Sequence, residues 1–306
     1  MDVALYTHLD MLEHRPKEGH PERPQRLMAV TDALADASDL RLEPREAPLV
    51  ALADLARVHG NAYVRAIEEA APLEGMIRLD PDTHMSPGTL TAARRAAGAV
   101  VAATRAVLAG DAGRAFCAVR PPGHHAEPAR AMGFCLYSNI AIAARAAQQA
   151  GLRRLAVIDF DVHHGNGTQA VFAADPNVFF ASVHQRPCYP GSGSADETGV
   201  GNIVNAPVPP DAPREVWRAA FEGLAERMDA FAPDLIFISA GFDAHARDPL
   251  ADQSLEAEDY AWATRAIVSV ANRHCGGRIV SSLEGGYDLA GLATSARAHV
   301  RALQEA

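Results

Sequence analysis

The stretch 157–167, Val-Ile-Asp-Phe-Asp-Val-His-His-Gly-Asn-Gly, constrains this chain more than any other. It begins as the apolar end of a buried strand and turns within a few residues into carboxylate, imidazole and glycine. Side chains two apart share one face of a strand. Asp159, Asp161 and His163 therefore point the same way if extended geometry persists to His163. Two carboxylates and an imidazole on one side of a strand end are costly to bury without a cation or tight pairing. A metal ion relieves the repulsion between the aspartates most directly. The plain alternative is a solvated loop after a core strand.

The surroundings of this stretch repeat its pattern. Short apolar runs at 3–6, 115–119, 155–160, 178–183, 235–239 and 279–283 predict strands. Helices are expected over about 27–37, 52–70, 138–150, 168–173, 211–231 and 256–274, and at the C-terminal end. Another begins with Ser86 as N-cap and Pro87 in the first turn, and runs to Leu108 before Gly110. Segments 8–26, 72–83 and 185–201 are polar or rich in Gly and Pro and read as loops. Alternating strands and helices imply an α/β fold, a parallel sheet with helices on both faces. No repeat or linker interrupts the chain, so one domain over residues 1–306 is expected.

At 306 residues and 48% hydrophobic content the chain can build a sizeable core. Its net charge of −10, with no basic run, argues against direct nucleic-acid binding. No apolar stretch approaches the roughly 20 residues of a membrane span. The first residues lack the pattern of a signal peptide, so a cytoplasmic protein is expected. Cys117, Cys135, Cys188 and Cys275 have no CxxC spacing and read as reduced and buried.

Five strand candidates end in potential chemistry: His124-His125, the Asp159/Asp161/His163 set, His184, Asp243 and Tyr287. Active sites of open α/β sheets lie beyond the carboxyl ends of their strands. Asp161, His163 and Asp243 form a three-ligand set that leaves a coordination position open. Such ligands suit zinc, and also Fe(II) or Mn(II). The stiff Pro121-Pro122-Gly123 turn can hold both histidines, one facing the reacting centre and one paired to a neighbour. Asp159 can orient one of them and Asn166 the other. Tyr287, beside Gly285-Gly286, can donate to a carbonyl oxygen that becomes an oxyanion.

Arg-Pro-Pro-Gly-His-His-Ala-Glu at 120–127, Gly-Phe-Cys at 133–135 and Asp-Phe-Asp-Val-His-His-Gly-Asn-Gly-Thr-Gln at 159–169 form a set of long motifs. Ser-Ala-Gly-Phe-Asp at 239–243, Asp248-Pro249 and Leu-Glu-Gly-Gly-Tyr at 283–287 follow in order. Together they resemble the class II branch of the histone deacetylase family, over nearly the whole chain from His-Pro-Glu-Arg-Pro-Gln-Arg at 20–26. The resemblance implies a three-layer arginase/deacetylase fold with a central, mainly parallel sheet of about eight strands. It implies zinc, or Fe2+ in vivo, on Asp161, His163 and Asp243. It makes His125 the general base and acid, pairs His124 with Asp159, places Asn166 on His125, and has Tyr287 polarise an amide carbonyl. It further implies structural potassium at Asp159, Asp161, His163, Ser182 and Val183, with a second monovalent site at Phe172, Asp175 and Val178. Phe134 and Tyr189 would wall an acyl-lysine tunnel, with Leu250, Gly285 and Asp82 also facing substrate.

The implied activity is a metal-dependent amidohydrolase acting on an acylated lysine or a small acylated amine, as a monomer or a homo-oligomer. Leu250 stands where polyamine-selective relatives carry a glutamate, which weakens an acetylpolyamine reading. An arginase-like dimanganese site lacks its further carboxylates, since Gly165 follows His164. A non-catalytic acyl-lysine binding module is opposed by the intact His125 and Tyr287.

Overall fold

The computed structural model describes residues 2–305. Its strands in chain order are β1 (Val3–Thr7), β2 (Leu42–Glu46), β3 (Ile77–Arg78), β4 (His84–Met85), β5 (Arg114–Cys117), β6 (Leu155–Asp159), β7 (Val178–Gln185), β8 (Ile203–Val208), β9 (Leu235–Ala240) and β10 (Ile279–Leu283). Eight of them form one sheet in the order β2-β1-β5-β10-β9-β6-β7-β8. Every pairing in that sheet is parallel. Strands β3 and β4 form a separate antiparallel pair.

Parallel strands need crossover segments that cover both faces. The central strands β5, β6, β7, β9 and β10 are accordingly buried at every position. That is why they read as continuous apolar runs. The main helices are α1 (Pro24–Ala35), α2 (Leu52–Leu55), α3 (Asn61–Ala70), α4 (Thr89–Ala109), α5 (Asn139–Gln149), α6 (Asn166–Phe172), α7 (Arg214–Phe231), α8 (Ala257–His274) and α9 (Leu289–Gln304). Gly98 in α4 admits the chain at Pro48, whose carbonyl oxygen would lie 1.8 Å from an added Cβ. A capping box between Glu256 and Asp259 opens α8. Among the described residues no helix is long and apolar enough to cross a membrane.

The structure departs from the sequence reading at several points. Strand β2 is an edge strand with no fully buried residue, so its sequence carries no apolar run. Pro44 is tolerated there because an edge strand can spare an N–H. Strand β8, at the opposite edge, was also missed. The expected 52–70 helix is two helices, the second capped at Gly60. Helix α4 starts at Thr89 rather than at Ser86. Ser86 instead closes a reciprocal turn: its N–H donates to Thr89 Oγ1 at 2.8 Å, and Thr89 N–H donates to its carbonyl at 3.0 Å. Strand β7 extends through His184 to Gln185, so His184 lies inside a strand and not beyond it.

Candidate active site

The four adjacent strands β5, β10, β9 and β6 aim their carboxyl ends at one place. The chain past β5 supplies His124 and His125. Strand β6 ends on Asp159 and leads to Asp161 and His163. Strand β9 leads to Asp243, and β10 to Glu284 and Tyr287.

Asp161, His163 and Asp243 are buried, and one ligand atom from each lies within 4.8 Å of the others. His163 Nδ1 is 3.1 Å from Asp161 Oδ1 and 3.1 Å from Asp243 Oδ2. Backbone N–H groups fix the carboxylates: Gly285 donates to Asp161 Oδ2 at 2.7 Å and Val162 to Asp243 Oδ1 at 2.8 Å. Two glycines permit this approach. A Cβ at Gly241 would stand 2.1 Å from Asp161 Oδ2, and one at Gly285 would stand 2.0 Å from Asp243 Oδ2. Asp159 and Glu284 are also fully buried. None of these four carboxylates is paired with Lys or Arg among the described residues. Such an excess of buried negative charge is costly alone and fits a divalent cation.

The His124 and His125 rings lie with centroids 3.9 Å apart, tilted by 43°, but their partners differ. His124 Nδ1 lies 3.0 Å from Asp159 Oδ2. His125 Nδ1 lies 2.8 Å from Asn166 Oδ1. Asn166 Nδ2 donates to Glu127 Oε1 at 2.9 Å, which fixes the amide orientation and turns its oxygen to His125. His125 Nδ1 must then carry the hydrogen, and Nε2 is left as the acceptor. Burial alone would lower the His124 pKa, but the charges of Asp161 and Asp159 outweigh it and raise it to about 10. Burial, followed by the charges of His124 and His163, holds His125 well below the usual histidine value. The pair is therefore one charged and one neutral imidazole.

Glu284 accepts from the N–H groups of Gly123 at 2.6 Å and His124 at 3.1 Å. It thus ties the two-histidine turn to β10, and burial raises its pKa to about 7. Tyr287 follows Gly286, whose φ of 115° suits glycine. The Arg26 guanidinium lies 4.7 Å from the centroid of the Tyr287 ring. Arg26 also donates to the carbonyls of Gly286 and Glu284, each at 2.5 Å. Behind it Glu22 binds Arg26 at 3.2 Å, Arg120 at 2.5 and 2.7 Å, and His14 at 3.1 Å. Glu284 and this buried cluster were not singled out from sequence. The signal available for Glu22, Arg26, Arg120 and Glu284 was their place inside the long motifs, whereas His14 lies outside them.

Above the ligands a cavity of about 290 Å³ is lined by Asp82, His125, Gly133, Phe134, His163, Cys188, Tyr189, Leu250 and Tyr287. Phe134 holds a left-handed φ of 67°. Its N–H donates to Thr83 Oγ1 at 3.0 Å, and Gly133 N–H donates to Asp82 Oδ1 at 3.2 Å. Three sequence expectations change here. Gly285 lies behind the ligand carboxylates and does not line the cavity. His184 does not reach the ligands; it bonds Ser182 Oγ at 2.9 Å and Gly193 O at 2.9 Å. Cys188 is half-buried and lines the cavity, whereas the other three cysteines are buried.

Ser182 pairs in register with Asp159 across β6 and β7, and Val183 follows it. The carbonyls of Phe172, Asp175 and Val178 do converge. They meet on Asn202 Nδ2, at 2.8, 3.0 and 2.7 Å.

The sheet and its strand-end site define an arginase/deacetylase fold, and the comparisons with known proteins give the family. The profile of the histone deacetylase domain matches residues 20–303, and the chain belongs to the histone deacetylase family. It is 38% identical over 302 residues to a probable deacetylase of Archaeoglobus fulgidus, covering 95% of this chain and 83% of that one. It is 40% identical over 278 residues to the histone deacetylase-like amidohydrolase of Pseudomonas aeruginosa, covering 88% of this chain and 73% of that protein. The crystal structure of the HDA15 HD domain superposes with a TM-score of 0.93 at 36% identity, covering 100% of this chain and 89% of that one.

Proposed function

We propose that the chain is a metal-dependent deacylase that hydrolyses the amide of an N-acetylated or otherwise acylated lysine, or of a related acylated amine, to a carboxylate and a free amine. The observation that carries this reading is His125, whose Nδ1 is engaged by Asn166 Oδ1 at 2.8 Å so that Nε2 is left as an acceptor, beside a buried three-ligand set under a cavity of about 290 Å³. Zinc or Fe2+ held by Asp161, His163 and Asp243 would polarise the carbonyl and lower the pKa of a nearby water. His125 accepts a proton from the attacking water and returns it to the leaving nitrogen. Tyr287 donates its hydroxyl hydrogen to the carbonyl oxygen as negative charge grows there. Asp159 keeps the charged His124 in place, and Asn166 keeps His125 in the tautomer that accepts. We infer a structural potassium at Asp159, Asp161, His163, Ser182 and Val183, where Ser182 lies in register beside Asp159. At the second expected site, the carbonyls of Phe172, Asp175 and Val178 converge and the Asn202 amide donates to all three.

Phe134, Tyr189 and Leu250 supply apolar walls for an aliphatic side chain. Asp82 spends one oxygen on holding the Phe134 loop, and Asp80 pairs with Arg130 at 3.2 Å. The rim thus offers little free carboxylate to a distal ammonium, which favours acyl-lysine over acetylpolyamine. Four unpaired cysteines suit a reducing, cytoplasmic setting. The test is turnover of a fluorogenic acetyl-lysine peptide by metal-loaded protein, with and without chelator, alongside Tyr287→Phe. Release should vanish with chelator, and the variant should lose about 100- to 1,000-fold in kcat. Chelator-resistant release, or near-normal turnover by the variant, would overturn the mechanism.

A further inference from the structure

Tyr287 and Leu250 face the same cavity from two separate loops. One buried side chain joins those loops. Asp248 Oδ2 accepts the N–H of Tyr287 at 2.6 Å and that of Asp288 at 3.3 Å. Its other oxygen, Oδ1, accepts the N–H of Leu250 at 3.1 Å. Its own N–H donates to His245 O at 2.8 Å, which fixes the backbone from which the carboxylate projects. Only 8% of the residue is exposed, so water does not compete strongly for those oxygens.

We propose that Asp248 is a positioning residue, a clasp that sets Tyr287 over the reacting carbonyl and fixes Leu250 opposite it. The physical reason is the conformation of the tyrosine turn. Gly286, with its φ of 115°, can take many other shapes, so the turn does not define the direction of Tyr287 by itself. Arg26 holds the carbonyl side of the turn, through Glu284 O and Gly286 O. Asp248 holds the N–H side. Three backbone N–H groups from the two loops converge on this one carboxyl group, and a displacement of about 1 Å at a reacting group can cost about 100-fold in rate. Both oxygens are needed for both loops. An asparagine offers one oxygen, and its amide N–H would confront either Tyr287 N–H or Leu250 N–H.

This inference rests on the reading of Tyr287 as the donor to the carbonyl oxygen, and a double-mutant cycle separates the two. Wild type, Asp248→Asn, Tyr287→Phe and the double variant are compared on an acetyl-lysine peptide, with bound metal measured on each sample. Asp248→Asn should lower kcat about 10- to 50-fold, with KM within about threefold and full metal content. In the Tyr287→Phe background the same change should cost less than about threefold. Equal losses in both backgrounds, or no loss in either, would overturn the clasp while leaving the Tyr287 role intact. Near-normal turnover by Tyr287→Phe would overturn both. Asp248→Ser, which keeps one small acceptor, runs the same cycle if the asparagine variant does not fold.

Discussion

Gly285→Ala tests the metal site through sterics alone. Gly285 does not have a positive φ, so alanine meets no backbone penalty there. Its methyl group would, however, stand 2.0 Å from Asp243 Oδ2 and 2.5 Å from Asp161 Oδ2. Carbon and oxygen at van der Waals contact need well over 3 Å, so the carboxylates must retreat by more than about 1 Å. Metal–ligand distances tolerate only about 0.2 Å. Two of the three proposed ligands are therefore pushed out of place together. Loss of a single outer partner already costs about 10- to 100-fold in affinity, so the variant should bind zinc at least about 100-fold more weakly. At saturating metal this removes about 2.7 kcal/mol of metal-linked stability. The apoprotein should be less affected, because unligated carboxylates can rotate away from the methyl. Competition with a chromophoric chelator gives the affinity, and melting with and without zinc gives the linked stability. An affinity within threefold of wild type would refute the placement of the ligands against Gly285.

Two further perturbations probe the supports. Glu22→Gln removes the carboxylate that Arg120, Arg26 and His14 share in the core, where Glu22 has no exposed surface. Burial works most strongly against that charge, but Arg120 and His14 together outweigh it and hold the Glu22 pKa well below its usual value. The change should destabilise the protein by about 3–5 kcal/mol in urea, and a loss under about 1 kcal/mol would contradict the cluster's role. His59 and His299 are also held below their usual pKa values, but there folding favours the neutral form: burial lowers them from 6.5 to about 4 and about 3. Their contribution is complete above pH 6.5 and declines as pH falls toward 4 and 3, by about 1.4 kcal/mol per pH unit for each. His299→Asn should flatten the acid limb of the stability curve, and an unchanged slope would refute the assignment.

How much of this was legible in the sequence follows from where each residue sits. Five central strands are buried on both faces, so their apolar runs announce them. Strand β2, Leu-Glu-Pro-Arg-Glu, is held by pairing with β1 alone, and nothing in its composition requires a strand. Asp159, Asp161 and His163 were readable because strand geometry places them together over a few residues. His184 misled for the same reason: a polar residue near a strand end looks like a site residue, yet here it bonds Ser182 and Gly193.

The supports of the site were harder to see because they join positions far apart in the chain. Arg26 reaches Gly286 across 260 positions, and Arg120 reaches Glu22 across 98. No local period or spacing encodes such contacts. Asp248 is the instructive intermediate case. Asp248-Pro249 sits inside the motif set, but only the fold shows that its two oxygens serve two walls of one cavity. Residues that touch the reacting atoms recur at strand ends and can be read from the chain. Residues that aim them are chosen by which loops the sheet order brings side by side. Here β10 lies between β5 and β9, so the tyrosine turn after β10 is flanked by the histidine turn on one side and the Asp248 loop on the other. The position of that one strand lets Glu284 anchor the base and Asp248 anchor the oxyanion donor.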